Sequence, residues 1–258
     1  MNDHDALLLA ICEHPEEDTP RLLYADWLEE HGQSERADFV RNQVAMAQPG
    51  LAGAELYAVT KKNRYYLSNF VRQWQNELPR IDGIEWGDFN RGVIEEVRAK
   101  HEGHIIDHAA EIFVVPGIHV LRLWRLRTEQ TLWSTNGGYL LSRVPELIRL
   151  RTLCLIHSAT SQTLCSLFES PHLRKLTALD LYGSTANDRV VAQLVGGRFP
   201  DLAELQLGGN YISAAGAMAL VNSPHLTKLR LLDLRGNQHI DYAARTALQQ
   251  RFGSALKM

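Results

Sequence analysis

Three histidines near the middle of the chain could bind a metal ion. His101, His104 and His108 follow one another at intervals of three and four residues, and Asp107 lies beside them. On a helix these imidazoles would share one face, and a pair four residues apart can chelate zinc. Their order does not match the zinc-protease helix motif, and a solvated polar helix face explains the same spacing. A metal-binding protein or enzyme using these histidines therefore stands as an alternative.

No second arrangement typical of catalysis stands out. Cys154 falls between Leu153 and Leu155, and a nucleophile there would need a base and an orienting group beside it. No glycine pair is followed by the lysine and hydroxyl residue of a phosphate loop. The three cysteines form no CxxC pair, which is typical of free thiols in a reducing, cytoplasmic setting. We therefore expect no enzyme activity and no cofactor.

The composition is that of an ordinary globular protein. The 258 residues carry a net charge of −3, which gives no whole-chain attraction to nucleic acid or to an anionic membrane. The apolar runs are far shorter than the roughly 20 residues that span a bilayer. Asp3 and Asp5 lie where a secretory signal would carry basic residues. We expect a cytoplasmic monomer that binds neither nucleic acid nor membrane.

A leucine pattern recurs along the second half of the chain. The motif Leu-x-Leu begins at residues 121, 153, 179, 205 and 232, so successive copies are 32, 26, 26 and 27 residues apart. A further leucine lies three residues before each of the last four copies. In the two clearest copies, Asn210 or Asn237 follows the second leucine by three residues. Such regular spacing predicts a repeat architecture.

The spacing also predicts what each repeat contains. Alternating leucines lie on one face of a short strand, and the residues between them lie on the other. An asparagine at the following turn can bond backbone groups of the neighbouring unit, because its side chain both donates and accepts. Helical stretches at about 187–195 and 214–221 would return the chain, with apolar residues facing the strands. Because one unit cannot bury its apolar side alone, the units must stack.

These residues resemble the leucine-rich repeats of the longer class, similar to those of ribonuclease inhibitor. The resemblance covers about 118–258 and implies a right-handed horseshoe with a parallel sheet on its concave side. The first spacing of 32 residues departs from the pattern, as do the residues Trp124 and Ile156 at turn positions. The predicted fold class is α/β, a short leucine-rich-repeat solenoid of about five repeats preceded by a small all-α domain.

The concave face is the predicted binding surface. Residues between and beside the leucine pairs would form columns across it, with one end apolar and aromatic and the other end acidic. Aromatic and arginine side chains dominate the binding energy of many interfaces. The predicted partner-binding residues are Arg122, Trp124, Ile156, Asp180, Tyr182, Glu204, Gln206, Asp233 and Arg235.

Helices are predicted along the first 80 residues. Three short helices precede residue 50, with Thr19 and Ser34 as N-caps of the second and third and Pro20 at the first helical position of the second. A longer helical region covers about 54–77. Charged side chains here are expected to form ion pairs between the helices rather than a partner site: Asp26, Arg36 and Arg41.

Two stretches of the first hundred residues carry a second resemblance. The run RLLYADWLEEHGQSERADFVRNQ from Arg21 to Gln43 resembles the bacterial repeat-companion domain, a module found ahead of leucine-rich repeats. The stretch IEWGDFNRGVIEEV from Ile84 to Val97 is similar to the segment that joins such modules to their repeats. The resulting prediction is a helical domain over 1–80 and a repeat domain over 81–258, in which 81–117 form an irregular cap.

Three functions remain open at this point. The leading hypothesis is a non-enzymatic interaction module that binds a protein or peptide on the concave face. The second is the metal protein or enzyme described above. The third is a structural component of a larger assembly, because fold alone does not supply function.

Overall fold

The computed structural model describes residues 3–124, 137–157 and 159–258, and the chain divides into two compact units. The first unit consists of Met1–Ile81, Trp86–Glu96 and Glu111–Ile118. The second consists of Asp82–Glu85, Val97–Ala110 and His119–Met258. Two segments of the predicted cap, 86–96 and 111–117, belong to the same unit as the N-terminal helices. Within the described ranges, no helix combines the length and apolarity needed to span a membrane.

Five helices form most of the first unit: α1 (Asp3–Glu13), α2 (Thr19–Glu30), α3 (Ser34–Met46), α4 (Gly53–Asn69) and α5 (Val71–Gln75). The predicted N-caps are wrong, because Asp18 and Gln33 occupy these positions without a side-chain cap bond. Pro20 lies within the first turn of α2, where its missing N–H costs little.

Two apolar clusters hold these helices together. One joins α1, α2 and α3 through residues that include Ile11, Tyr24, Leu28 and Val40. The other is aromatic: Phe39, Tyr66 and Trp74 are buried, with Phe70 and Phe89 packed against them. Offset and edge-on ring pairs add to the stabilisation from burial alone. The two clusters differ in their residues, so the packing between these helices does not repeat along the chain.

A tight hairpin adds to the first unit. Strands β2 (Phe89–Asn90) and β3 (Val93–Ile94) pair antiparallel across Arg91 and Gly92, which both have positive φ. This is the backbone of a two-residue hairpin turn that favours glycine. A Cβ atom on Gly92 would come within 2.5 Å of Val40 Cα, so the turn also needs glycine for its close approach to α3.

One sheet contains eight strands in the order β1-β4-β5-β6-β7-β8-β9-β10. The first two are β1 (Ile84–Trp86) and β4 (Glu96–Ala99), followed by the five strands that the leucine pattern predicts. These are β5 (Val120–Trp124), β6 (Thr152–Ile156), β7 (Ala178–Asp180), β8 (Glu204–Gln206) and β9 (Leu231–Asp233). The pattern did not predict β10 (Leu256–Lys257), which pairs with β9. The region 81–117, predicted as irregular, contains β1–β4 and α6 (Glu102–Ile112).

The strands from β5 to β10 pair in parallel and in leucine register. Leu121 lies opposite Leu153, and this alignment continues through Leu179, Leu205 and Leu232. Both leucines of every pair are buried. Helices return the chain between strands: α7 (Gly137–Ser142), α8 (Ser161–Phe168), α9 (Asp188–Val195), α10 (Ala214–Asn222) and α11 (Tyr242–Phe252).

A ladder of side chains at the turns joins successive repeats. Asn210 donates from Nδ2 to the carbonyl of Leu181 at 2.8 Å and accepts from the backbone N–H of Ala186 at 2.8 Å. Asn237 donates to the carbonyl of Leu207 at 2.9 Å in the same way. The predicted asparagine role is confirmed. Ser184 occupies the equivalent position one repeat earlier, and its hydroxyl donates to the carbonyl of Leu155.

Candidate partner-binding face

The strand register aligns the predicted site residues into columns. Cys154 lies opposite Arg122 on one side and opposite Asp180 on the other. Gln206 continues the column between Asp180 and Asp233. Because neighbouring strands lie about 4.8 Å apart, side chains of one column are close enough to act together. We call this surface the column face. It consists of the column Arg122, Cys154, Asp180, Gln206 and Asp233 and of the predicted site residues beside it, Trp124, Ile156, Tyr182, Glu204 and Arg235.

The side chains of the column face differ in exposure. Tyr182 is 45% exposed, and Arg235 is also exposed. Half-buried side chains are Arg122, Ile156, Asp180, Glu204 and Gln206. Asp233 is only 4% exposed. Trp124 pairs with Ile156 in the sheet, but its side chain lies outside the described residues.

The neighbours of Tyr182 fix the position of its aromatic ring on this face. The His157 ring packs edge-on against it with 5.4 Å between centroids. On the other side lies Gly208, where a Cβ atom would come within 3.0 Å of Tyr182 Cδ2. The backbone N–H of Tyr182 donates to Asp180 Oδ1 at 3.0 Å. A partly exposed aromatic ring held in this way can bind a partner with little further loss of conformational entropy.

Arginines partly neutralise the end of the face that the sequence predicted to be acidic. Arg235 donates from Nη2 to Asp233 Oδ2 at 2.5 Å and from Nε to Oδ1 at 3.0 Å. Arg230 Nη2 lies 3.4 Å from Glu204 Oε1. Burial alone would raise the pKa of Asp233, but the hydrogen bonds and charge of Arg235 outweigh it and lower that pKa.

Asp180 has the opposite electrostatic character. Its burial raises the pKa of the carboxyl, and the charge of Asp233 adds to this effect. The backbone N–H of Tyr182 and the charge of Arg122 oppose the rise without cancelling it. The column face therefore contains a carboxylate that is poorly compensated within the chain, beside an exposed tyrosine. A cationic group on a partner would stabilise its charged form.

The three histidines do not all lie on one regular helix, although the rings of His101 and His104 are 6.3 Å apart between centroids. His101 precedes α6, and its Nδ1 accepts from the backbone N–H of Gly103 at 3.0 Å. The His104 ring lies against Gly83, and His108 has non-helical backbone angles that kink α6. The helical arrangement expected from the spacing is wrong for this reason. Across residues 3–124, 137–157 and 159–258, no three His, Cys, Asp or Glu side chains are placed to hold a metal ion.

The charged residues of the N-terminal helices form ion pairs, as the sequence predicted. Arg41 of α3 bridges Asp26 at 2.7 Å and Glu29 at 2.6 Å, both on α2. Arg36 lies 2.7 Å from Glu77, beyond the end of α5. These pairs join elements of the first unit.

A cavity in the first unit was missed by the sequence analysis. It measures about 340 Å³, and residues of α1, α2, α3 and α5 contribute to its wall. Tyr24 lines it, and burial raises the pKa of this tyrosine. The hydroxyl of Tyr24 lies 3.4 Å from His4 Nε2. No sequence period could reveal this cavity, because segments far apart in the chain build it.

Known proteins give little guidance. No protein-family model matches the sequence, and no curated protein matches it. The chain is similar to a solved structure described as the crystal structure of the Rad7 and Elc1 complex in yeast, at 13% identity. The match covers 90% of this chain and 76% of that chain, with a TM-score of 0.33. A TM-score of this size does not establish a shared fold.

Proposed function

We propose that this chain is a non-enzymatic leucine-rich-repeat protein that binds a protein or peptide on the column face. The observation that carries the proposal is the strand register that places Asp180 in the column beside the positioned and exposed ring of Tyr182, with burial of Asp180 only partly offset by its neighbours. Leucine-rich repeats of the longer class form horseshoe solenoids, and the leucine register from β5 to β10 supports that assignment. The strand that Tyr182 follows is flanked on both sides, which gives the face the breadth that a peptide needs.

The partner's expected chemistry follows from the same residues. Asp180 favours a lysine or arginine, whose charge would compensate a carboxylate that burial disfavours. Tyr182 offers its ring to an apolar stem or to the cation itself. We propose a protein or peptide segment with at least one basic side chain, bound by a monomer in a reducing cytoplasm.

The helical domain would act as a companion to the repeats. The segment from Arg21 to Gln43 supports this role through its resemblance to the bacterial repeat-companion domain. In this proposal the domain recruits a second partner. Its own cavity beside Tyr24 gives it a surface on which a second partner could dock.

Affinity capture with a matched control tests the proposal. Wild-type protein is compared with a Trp124→Ala/Tyr182→Ala double variant and with Tyr242→Ala, which removes an 85% exposed tyrosine at the start of α11. We expect a partner that the wild type and Tyr242→Ala recover and that the double variant loses by about tenfold or more. Recovery of the same proteins by all three variants would refute the column face as the partner site.

Metal analysis tests the histidine alternative. Purified wild-type protein and His104→Ala are compared for bound zinc. Stoichiometric zinc that is lost on substitution of His104 would replace the interaction proposal with a metal protein.

A further inference from the structure

We infer that the repeat unit has a second binding surface, a cationic groove that takes the carboxylates of an acidic protein segment. The groove measures about 490 Å³. Arg174 and Arg198 line it together with the backbone of Gly196 and Gly197. It lies among the loops that lead into strands β7 and β8, whereas the column face lies on the strands themselves and at the turns that follow them.

Two exposed arginines line this groove. Both Arg174 and Arg198 are exposed, and neither forms an ion pair with any residue in the described parts of the chain. Glu169 is the acidic residue on the groove wall. A guanidinium presents a fixed fork of donors that fits a carboxylate with two parallel hydrogen bonds. Two such groups in one groove favour a ligand with more than one carboxylate.

The surrounding loops extend the positive charge. We call the segments 143–151, 169–177, 196–203 and 223–230 the lead-in loops. They carry eight cationic side chains and three acidic ones, an excess of five positive charges in a chain whose net charge is −3. The cationic residues are Arg143, Arg149, Arg151, Arg174, Lys175, Arg198, Lys228 and Arg230. The excess does not depend on which of these side chains have partners within the chain.

The repeat register brings the lead-in loops side by side. The backbone N–H of Thr177 donates to the carbonyl of Arg151 at 2.8 Å. Ala203 donates to Thr177, and Arg230 donates to Ala203, at the same distance. Lys228 reaches back one repeat to Asp201 at 2.5 Å. Residues that are about 26 positions apart in the sequence therefore lie side by side, on a surface that carries more cationic than acidic side chains.

The composition of this surface favours an acidic protein segment over a nucleic acid. Proteins that bind single-stranded nucleic acids combine positive charge with exposed aromatic rings on which bases stack. The lead-in loops, all of which lie in described parts of the chain, contain no tryptophan or tyrosine, and their phenylalanine, Phe199, is buried. Acidic residues also interrupt the cationic ones, so the surface lacks the unbroken positive track along which a nucleic-acid backbone binds.

Peptide binding to the full chain tests this inference. The probe is a fluorescein-labelled peptide with six glutamates, and the same peptide with six glutamines serves as the ligand control. The test variant is Arg174→Glu/Arg198→Glu. The matched variant is Arg64→Glu/Arg72→Glu, which makes the same charge change on exposed helix residues of the first unit.

We expect the glutamate peptide to bind and the glutamine peptide not to bind. The Kd should rise by about tenfold or more in Arg174→Glu/Arg198→Glu, because two charge-assisted contacts become repulsive, and should stay near the wild-type value in the matched variant. Arg174→Gln/Arg198→Gln should give an intermediate loss, and circular dichroism should show unchanged folding of all three variants.

Several results would overturn the inference. No binding of the glutamate peptide would do so, as would an equal loss of affinity in the test and matched variants, which would indicate net charge alone. Tighter binding of a single-stranded DNA oligonucleotide, with the same dependence on Arg174 and Arg198, would assign the groove to nucleic acid. Competition by millimolar inorganic phosphate at matched ionic strength would reduce it to a site for small anions.

Discussion

The two units of this chain reach stability in different ways. In the first unit, each important contact occurs once: a buried ion pair between Arg21 and Glu95, and an aromatic cluster around Phe39. In the second unit, the same contact recurs in successive repeats, as the leucine register and the turn ladder show. A fold made of unique contacts depends on each of them, whereas damage to a repeat should remain near the repeat that carries it.

The difference is clearest in how each unit handles buried polar groups. Arg21 and Glu95 are both buried, and burial lowers the pKa of Arg21 although Glu95 opposes this. Asn90 donates to the second oxygen of Glu95 at 2.5 Å. The repeat unit instead buries neutral amides and hydroxyls against backbone carbonyls. A charge left without its partner costs far more than a neutral group left in the same state.

The largest effect is therefore expected at Arg21. Replacing Arg21 with methionine leaves the Glu95 carboxylate buried without its cation, which should lower the free energy of unfolding by about 3–5 kcal/mol. Urea denaturation followed by tryptophan fluorescence measures the change, since Trp27, Trp74 and Trp86 all lie in the first unit.

Two further variants separate the buried charge from other causes. Arg21→Met/Glu95→Leu removes both charges and should recover much of the lost stability. Arg41→Met removes a cation whose acidic partners, Asp26 and Glu29, are exposed, and should cost less than about 1 kcal/mol. Equal losses for Arg21→Met and Arg41→Met would contradict the special role given to the buried pair.

The second prediction concerns a single repeat. Leu205 is 0% exposed, and Leu205→Ala should lower the free energy of unfolding by about 2–5 kcal/mol through lost burial and the cavity left behind. Hydrogen exchange followed by mass spectrometry should show faster exchange in β7, β8 and β9 and unchanged exchange in α2 and α3. Leu140→Ala, an exposed site on α7, is the control. Faster exchange throughout the first unit would break the comparison between the units.

The same contrast explains what could be predicted from the sequence. The motif Leu-x-Leu, repeated at intervals of 26 to 32 residues, located β5 to β9 and the columns of the column face, because repeated packing leaves a repeated pattern. The sequence analysis missed β10 because Leu256 is followed two residues later by Met258, so the motif Leu-x-Leu is not present there. Ser184 could have been found by aligning the turn positions of Asn210 and Asn237. The cavity beside Tyr24 left no pattern, since its walls come from distant segments that meet once.

The third prediction compares turn side chains between repeats. Asn210 bonds backbone groups of its own repeat and of the one before, so Asn210→Ala should cost about 1–3 kcal/mol through unsatisfied buried groups. Ser184→Ala removes one donated hydrogen bond and should cost about 1 kcal/mol. Asn222→Ala, at the exposed end of α10, is the control for thermal unfolding. A larger loss of stability at Ser184 than at Asn210 would contradict the prediction, because it would show that the number of hydrogen bonds does not set the contribution of a turn side chain.

The smallest effects should come from Asp180 and Asp233, which share one column but differ in charge environment. Burial raises the pKa of the Asp180 carboxyl above its usual 3.8. Ionisation of this carboxyl therefore costs more in the folded state than in the unfolded state. The free energy of unfolding should fall as pH rises from the unfolded-state pKa through the folded-state pKa. At neutral pH, Asp180→Asn should therefore be more stable than the wild type, and the difference should shrink as pH falls below about 3.8. The pKa of Asp233 is lowered despite its burial, because Arg235 bonds its carboxylate.

Asp233 consequently stabilises the fold above its unfolded-state pKa, and this contribution is lost as pH falls through its lower folded-state pKa. Asp233→Asn should be less stable than the wild type at neutral pH and should approach it in acid. Thermal unfolding of both variants between about pH 3 and 7 measures the two differences. We expect the two stability changes to have opposite signs at neutral pH. This result would show that neighbouring side chains, here Arg235, set the electrostatic environment of each column position, although the backbone of the repeats is equivalent. A gain of stability in both variants would mean that burial governs both carboxylates, and a loss in both would mean that bonds to the carboxylates govern them; either result would remove the electrostatic contrast on which the choice of a basic partner depends.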